Sequence, residues 1–342
     1  MTSSSGLHMT FEYQLWGHRI LSDFDLGGLD PACEDGGEHG DLRIERTIDP
    51  RWSQQKAAPV LEHHHENGEL WFACWKHGDG YVAHFPGVCS FLISSGEMRI
   101  ECAPEPDARG VTIAHMILDH AIPRLLTLKP GHVVLHASAI AIEGQVVALL
   151  GQSGQGKSTL AAWLASREYP VLTDDCLALR WDAGEQEWLA QPSYESVRLW
   201  PDSVDALGIN KTSLMDFAEY STKKRTGKDA ELRFATEGAP LRGCFALAGR
   251  DGDKETHSGP PAVHVLPVNE AFVALLGSVF RLDPENEQIN RREFEAMTRL
   301  TERVGFWSLA YERKYDWLPE VQKAMIDALR SRNRELEKGN LY

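Results

Sequence analysis

Through the first hundred residues, apolar and polar positions alternate in short runs. The segments 42–47, 69–75, 81–85, 89–93 and 98–102 each have the length of a strand and are parted by Gly, Pro, Asp and Ser turns. That spacing predicts an antiparallel meander. Residues 27–40 are polar, acidic and glycine-rich and read as a loop. Between 111 and 126 the apolar period becomes helical, and the run stops at the Lys129-Pro130-Gly131 breaker. The pattern therefore divides the chain into a disordered start (1–9), a β-rich N-terminal domain closed by a helix (10–128) and a second domain (129–342).

The second domain has a different rhythm. An apolar strand at 132–142 is followed by the turn Glu143-Gly144 and a second strand at 145–150. A helix begins near 160–165, and further strands are predicted at 170–175, 176–181, 188–191, 244–248 and 263–268. A short helix with proline at its start covers 201–207, and longer ones cover 270–280, 287–304 and 319–337. Hairpins mixed with helix-linked strands predict an α/β domain (α+β overall) built on a mixed sheet.

Composition narrows the function classes. The 342 residues are 42% hydrophobic and include 10 Trp, which indicates well-filled cores. A net charge of −15 with no long basic stretch argues against a nucleic-acid surface. No run approaches the roughly 18 apolar residues of a membrane span. The start of the chain is polar, without the apolar core of a signal peptide, so a cytoplasmic protein is expected. The six cysteines form no Cys-x-x-Cys pair and read as reduced thiols.

Against this background one motif carries chemistry. Gly151-Gln-Ser153-Gly154-Gln155-Gly156-Lys157-Ser158-Thr159 fits Gly-x-x-x-x-Gly-Lys-[Ser/Thr], between a predicted strand and a predicted helix. Such a loop points backbone N–H groups at one spot where the helix dipole also favours an anion. Lys157 can neutralise the outer phosphates of a nucleotide, and Ser158 can offer its hydroxyl to Mg2+. ATP and Mg2+ are the expected ligands. Asp174 and Asp175 follow Lys157 by 17 and 18 residues at a predicted strand end, and neighbours in extended chain point to opposite sides. One can face metal while the other addresses a hydroxyl proton. His136, in the strand before the loop, is a candidate partner, although a lone strand histidine is more often a satisfied core residue. Glu62-His63-His64-His65-Glu66 reads as a solvated loop, because three consecutive histidines cannot face one metal.

Three elements together resemble the HPr serine kinase/phosphorylase family, whose P-loop domain is related to that of phosphoenolpyruvate carboxykinase. They are His136-Ala-Ser138, the loop Gly151–Thr159 and Leu172-Thr173-Asp174-Asp175, with intervals of 21 and 17 residues from His136 to Lys157 and on to Asp174. The resemblance implies a P-loop kinase domain with Asp174 as base on an acceptor serine. It also implies Asp175 and Ser158 on the metal side, and His136 beside Asp174. The family's Glu-x-Arg-Gly-x-Gly type run is missing. Its nearest counterpart, Tyr194-Glu195-Ser-Val-Arg198, offers Glu195 as a metal carboxylate and Arg198 as a phosphate contact. The N-terminal domain is unlike that family's regulatory domain. As a whole the chain is more similar to the HPr-kinase-like proteins of lasso-peptide biosynthesis, which phosphorylate a serine of a precursor peptide. The basic run Lys223-Lys224-Arg225-Thr-Gly-Lys228 is expected to be a lid, or an acidic-peptide contact, through Lys224 and Arg225. The resulting expectation is an ATP- and Mg-dependent serine kinase with a peptide or small-protein acceptor, possible oligomerisation, and no nucleic-acid or membrane partner. A kinase of an HPr-like protein or of a small metabolite is the alternative within enzymes. A nucleotide-gated regulatory protein is the alternative outside them.

Overall fold

The computed structural model describes residues 10–27, 29, 31, 40–53, 57–216, 218–226, 230–248 and 259–339. The predicted loop at 27–40, the start 1–9 and Lys228 lie mostly or wholly outside them. The chain divides into two units. The first holds the described residues up to Lys129 and takes back two later segments, Phe217–Tyr220 and Arg281–Glu287.

The first unit is an eight-stranded sheet. Its strands are β1 (Phe11–Leu15), β2 (His18–Ser22), β3 (Asp41–Arg46), β4 (Leu61–His64), β5 (Leu70–His77), β6 (Gly80–Phe85), β7 (Cys89–Ser94) and β8 (Arg99–Pro104), in the order β1-β2-β3-β8-β7-β6-β5-β4. From β4 to β8 it is the expected antiparallel meander. β3 departs from that pattern and runs parallel to both β2 and β8. The long connection after β2 lets the chain cross over before pairing, which a tight turn cannot do. The histidine run also departs from expectation, since His63 and His64 lie in the edge strand β4 and His63 stacks on Trp71 at 5.5 Å. The predicted helix at 111–126 is two segments, α1 (Gly110–Met116) and α2 (Ile122–Thr127), joined by a wider π turn over Ile117–Ala121.

The second unit is a nine-stranded mixed sheet with helices on both faces. Its strands are β9 (His132–Leu135), β10 (Ala137–Ile142), β11 (Gln145–Leu150), β12 (Val171–Thr173), β13 (Leu177–Asp182), β14 (Glu187–Ala190), β18 (Ala239–Leu247), β19 (Ala262–Val265) and β20 (Gly305–Ala310). A separate small sheet pairs β15 (Arg198–Leu199) with β17 (Lys224–Thr226), and β17 with β16 (Leu214–Met215). The helices are α3 (Lys157–Ala165), α4 (Pro201–Leu207), α5 (Val268–Leu276), α6 (Glu287–Arg303) and α7 (Leu318–Glu337).

Alternation along β11 shows why 146–150 is apolar throughout. Val147 and Leu149 enter a core with α3, α4 and α7, whereas Val146, Ala148 and Leu150 enter a second core with α5 and α6. A strand covered on both faces needs no polar side. Each large apolar side chain so buried contributes roughly 1.5–3 kcal/mol. The β10–β11 hairpin closes through Glu143 and Gly144, both at positive φ, the backbone of a two-residue turn matched to strand twist.

The predicted strand 132–142 is broken at His136. β9 pairs with β13, and β10 pairs with β11 and β12. Helix α5 also ends earlier than its apolar pattern. Past Gly277 the chain runs back beside β9, where Ser278 O takes the His136 N–H at 2.6 Å and Val134 O takes the Phe280 N–H at 3.0 Å. The competing backbone bonds to β9 stop the helix and fix the histidine at the joint.

β20 delivers the C-terminal wall of the site. Gly305 is in register with Gly243 of β18, and Trp307 lies over both while stacking on Phe245 at 4.9 Å. A Cβ on Gly305 would overlap the Trp307 ring and the Arg332 side chain. Gly305→Ala is expected to destabilise the protein by about 1–3 kcal/mol through overpacking. Urea denaturation with unchanged stability would contradict that packing.

Candidate active site

The glycine loop connects β11 to the first turn of α3. Gly151, Gly154 and Gly156 all hold positive φ, so the chain turns tightly enough to aim its N–H groups inward. The Gln155 amide oxygen accepts from the Gln152 N–H at 2.7 Å and braces the turn. Lys157 opens α3 and is 5% exposed. Its ammonium donates to Gly151 O at 2.7 Å, Gln152 O at 3.2 Å and His136 Nε2 at 3.3 Å. Burial pushes the Lys157 pKa below the ordinary lysine range; Asp175 and Asp174 oppose the shift, and Lys223 adds to it.

β12 ends at Thr173, beside β10, and the two aspartates follow in a bend and not in extended chain. Asp175 sits at φ 69°, a left-handed conformation that aspartate tolerates better than most side chains. Cys176 N–H returns to Asp174 O at 3.0 Å, and Thr173 Oγ1 donates to Cys176 O at 2.7 Å, which locks the bend. The carboxylates therefore separate. Asp174 is buried and accepts from Ser158 Oγ at 2.9 Å, Ser138 Oγ at 2.5 Å and the Arg198 N–H at 2.9 Å. Asp175 faces the cleft, with Arg198 Nη1 at 2.6 Å and His136 Nε2 at 4.0 Å. The separation expected from strand alternation thus arises from a turn. The pKa of Asp174 is raised: burial and the adjacent Asp175 charge outweigh the donors from Ser138 and Arg198.

His136 Nδ1 stands 3.1 Å from the Asp175 carbonyl oxygen. A carbonyl only accepts, so the proton sits on Nδ1 and Nε2 is left to accept from Lys157. Desolvation between the cleft walls lowers the His136 pKa despite a side chain 39% open to the cleft; Asp175 works against it and Lys157 with it.

The cleft is lined by His136, Ser153, Gly154, Gly156, Lys157, Ser158, Thr159, Asp175, Arg198 and Lys223 from the expected regions. Thr159 Oγ1 is tied to Ser203 at 3.0 Å. Glu195 is half-buried and does not line the cleft. Lys224 turns to Asp216, and Arg225 lies over the Tyr194 ring at 5.9 Å. Of the basic run it is Lys223 that reaches the cleft. Sequence reading gave no role to Ser138, two residues after His136, nor to the far wall of Trp200, Tyr311, Arg313, Lys314 and Tyr315. The dense aromatic and basic run Tyr311–Tyr315 after β20 was the available signal. No group of three His, Cys, Asp or Glu among the described residues is placed to hold a metal by itself. The described cysteines 74, 89, 102, 176 and 244 are buried free thiols, and no described helix is long and apolar enough to cross a membrane.

No protein-family profile and no curated protein matches the chain. Among solved structures, the Hpr(Ser) kinase/phosphatase from Coxiella burnetii is similar over 60% of this chain and 93% of its own, at 12% identity and a TM-score of 0.30.

The lowered His136 pKa has a measurable consequence. His136 stays neutral as pH falls past the ordinary value of 6.5, whereas the unfolded chain takes up the proton there. The stability it contributes is therefore present above 6.5 and lost as pH falls below it. In an NMR titration, with His136→Asn to assign the signal, the imidazole should titrate below 6.5. Titration at or above that value would contradict the described environment.

Proposed function

We propose that this chain is an ATP- and Mg-dependent kinase that transfers the γ-phosphoryl group to a serine hydroxyl of a peptide. One observation carries the reading. A glycine loop with its lysine and serine shares a cleft with Asp175, while the same turn sends Asp174 inward to the hydroxyl of the loop's Ser158. A regulatory nucleotide switch requires the loop and a metal-side carboxylate and needs no acceptor base.

Ser158 and Asp174 are hard oxygen donors 2.9 Å apart, a set that suits Mg2+ completed by phosphate oxygens and water. Asp174, buried beside a like charge, also gains most from a cation at this point. Mg2+ held there would neutralise charge on the β- and γ-phosphate oxygens. The metal side expected for Asp175 is thereby assigned to Asp174, and the base role expected for Asp174 to Asp175. Glu195 receives no metal role.

In the step itself, the acceptor hydroxyl gives its proton to Asp175 as its oxygen bonds to the γ-phosphorus. The bond from that phosphorus to the β–γ bridging oxygen breaks, and ADP leaves with the electron pair. Arg198 fixes the Asp175 carboxylate, and Tyr194 takes a second Arg198 N–H at 2.6 Å. His136 holds Lys157 and Asp175 in mutual register. The overall likeness of the chain to the HPr-kinase-like proteins of lasso-peptide biosynthesis supports a precursor peptide as acceptor, with the cytoplasm as the place of action.

Radiolabelled ATP with serine peptides and with small alcohols tests the proposal. Label on a serine peptide is expected, and label on small alcohols alone, or on neither, would overturn it. Lys157→Ala should weaken ATP binding by at least about tenfold, the scale of one charge-assisted contact. Calorimetry showing unchanged affinity would contradict the phosphate role of the loop.

A further inference from the structure

The small β15–β17–β16 sheet contributes more to the cleft than Arg198. Arg198 pairs with Arg225, and Leu199 with Lys224. Carrying that antiparallel register one step further sets Trp200 opposite Lys223. Arg198, Trp200 and Lys223 all line the cleft, and the Lys223 ammonium stands 5.2 Å from the centre of the Trp200 ring. Trp200 is 42% exposed although its neighbours Val197, Arg198 and Leu199 are buried. An indole left open at the rim, with a cation over its face, is held by cation–π attraction and by no apolar cover.

Lys223 has no carboxylate partner among the described residues. Its backbone N–H is tied to Ser221 Oγ at 3.2 Å. Among the described residues, the other basic groups of the run and of the 311–315 segment are engaged: Lys224 with Asp216, Arg225 over the Tyr194 ring, Arg313 with Ala248 O, and Lys314 with Glu312. Lys223 and Lys157 both line this cleft. Two ammonium groups facing one opening are mutually unfavourable until an anion enters between them. Asp175, the base of the proposed step, lines the same opening, so the anion met there by both lysines is the end of the phosphate chain nearest the acceptor.

We propose that Lys223 is a catalytic residue that engages the γ-phosphoryl group of the bound triphosphate, and that Trp200 is the positioning residue holding its ammonium over the cleft. The assignment rests on the kinase reading and adds to it a second cation, from a different sheet, on the moving group. Lys157 belongs to the loop and stays with the phosphates it cradles. Lys223 comes from the chain just before β17, outside the loop, and would meet the charge that develops on the γ-phosphoryl group during transfer.

Discrimination between ATP and ADP separates this role from a structural one. For the wild-type chain, Lys223→Met, Lys223→Arg and Trp200→Leu, affinities for ATP and ADP are measured by calorimetry with Mg2+ present. Lys223→Met should lose ATP affinity by about tenfold or more, as expected for one charge-assisted contact, with ADP affinity unchanged. Lys223→Arg should restore most of the loss, and Trp200→Leu should show a smaller loss confined to ATP. Unchanged ADP affinity also certifies that each variant is folded. If Lys223→Met binds both nucleotides as the wild type does, or loses both equally, the assignment is overturned while the kinase reading stands. If the wild-type chain binds neither nucleotide, the kinase reading fails and the assignment falls with it.

Discussion

The left-handed turn at Asp175 is the constraint on which the site depends. Two adjacent carboxylates repel and, in one environment, would share one fate. The turn sends Asp174 back under the sheet to the hydroxyls of Ser138 and Ser158, and sends Asp175 outward to Arg198 and His136. Each partner comes from a different element: Ser138 from β10, Ser158 from α3, Arg198 from β15, and His136 from the joint between β9 and β10. The turn is held because neighbouring elements satisfy both carboxylates, Arg198 reaching Asp174 through its backbone N–H and Asp175 through its guanidinium, which offsets the cost of positive φ on a residue other than glycine.

That arrangement needs a stiff base. β11 and β10 are buried on both faces, so the loop and the joint at His136 spring from strands packed between the two cores of the second unit. The surrounding charge is just as selective. In a chain of net charge −15, the cleft gathers Lys157, Arg198, Lys223, Arg313 and Lys314 against Asp175 and Asp202. A cationic cleft in an acidic protein favours a small anionic ligand and disfavours an extended polyanion, since the rest of the surface repels it.

The hairpin, the loop and the strand leading to Asp174-Asp175 were legible in sequence because each is local, although that strand stops at Thr173, before the aspartates. Apolar runs, a Glu-Gly turn and a glycine motif announce themselves within ten residues or so of chain. What was not legible depends on distant partners. The break at His136 arises from the return of Ser278–Phe280 along β9, some 140 residues later. The different fates of Asp174 and Asp175 follow from a turn that neither side chain encodes alone. In the basic run, composition draws attention to Lys224 and Arg225, but Lys223, one position before β17, lines the cleft, while Lys224 turns to Asp216 and Arg225 to the Tyr194 ring. The parallel placement of β3 escaped for the same reason, since alternation predicts a strand and not its neighbours.

The division of labour between the two aspartates is the central claim, and paired substitution tests it most directly. ATP affinity with and without Mg2+, and the rate of phosphoryl transfer, are measured for Asp174→Asn and Asp175→Asn side by side. Asp175→Asn should lose at least about a hundredfold in transfer, the usual scale of a general base, while keeping Mg2+-enhanced ATP binding. Asp174→Asn should lose the enhancement of binding by Mg2+. The reverse pattern, or an Asp175→Asn protein that transfers at the wild-type rate, would contradict the account.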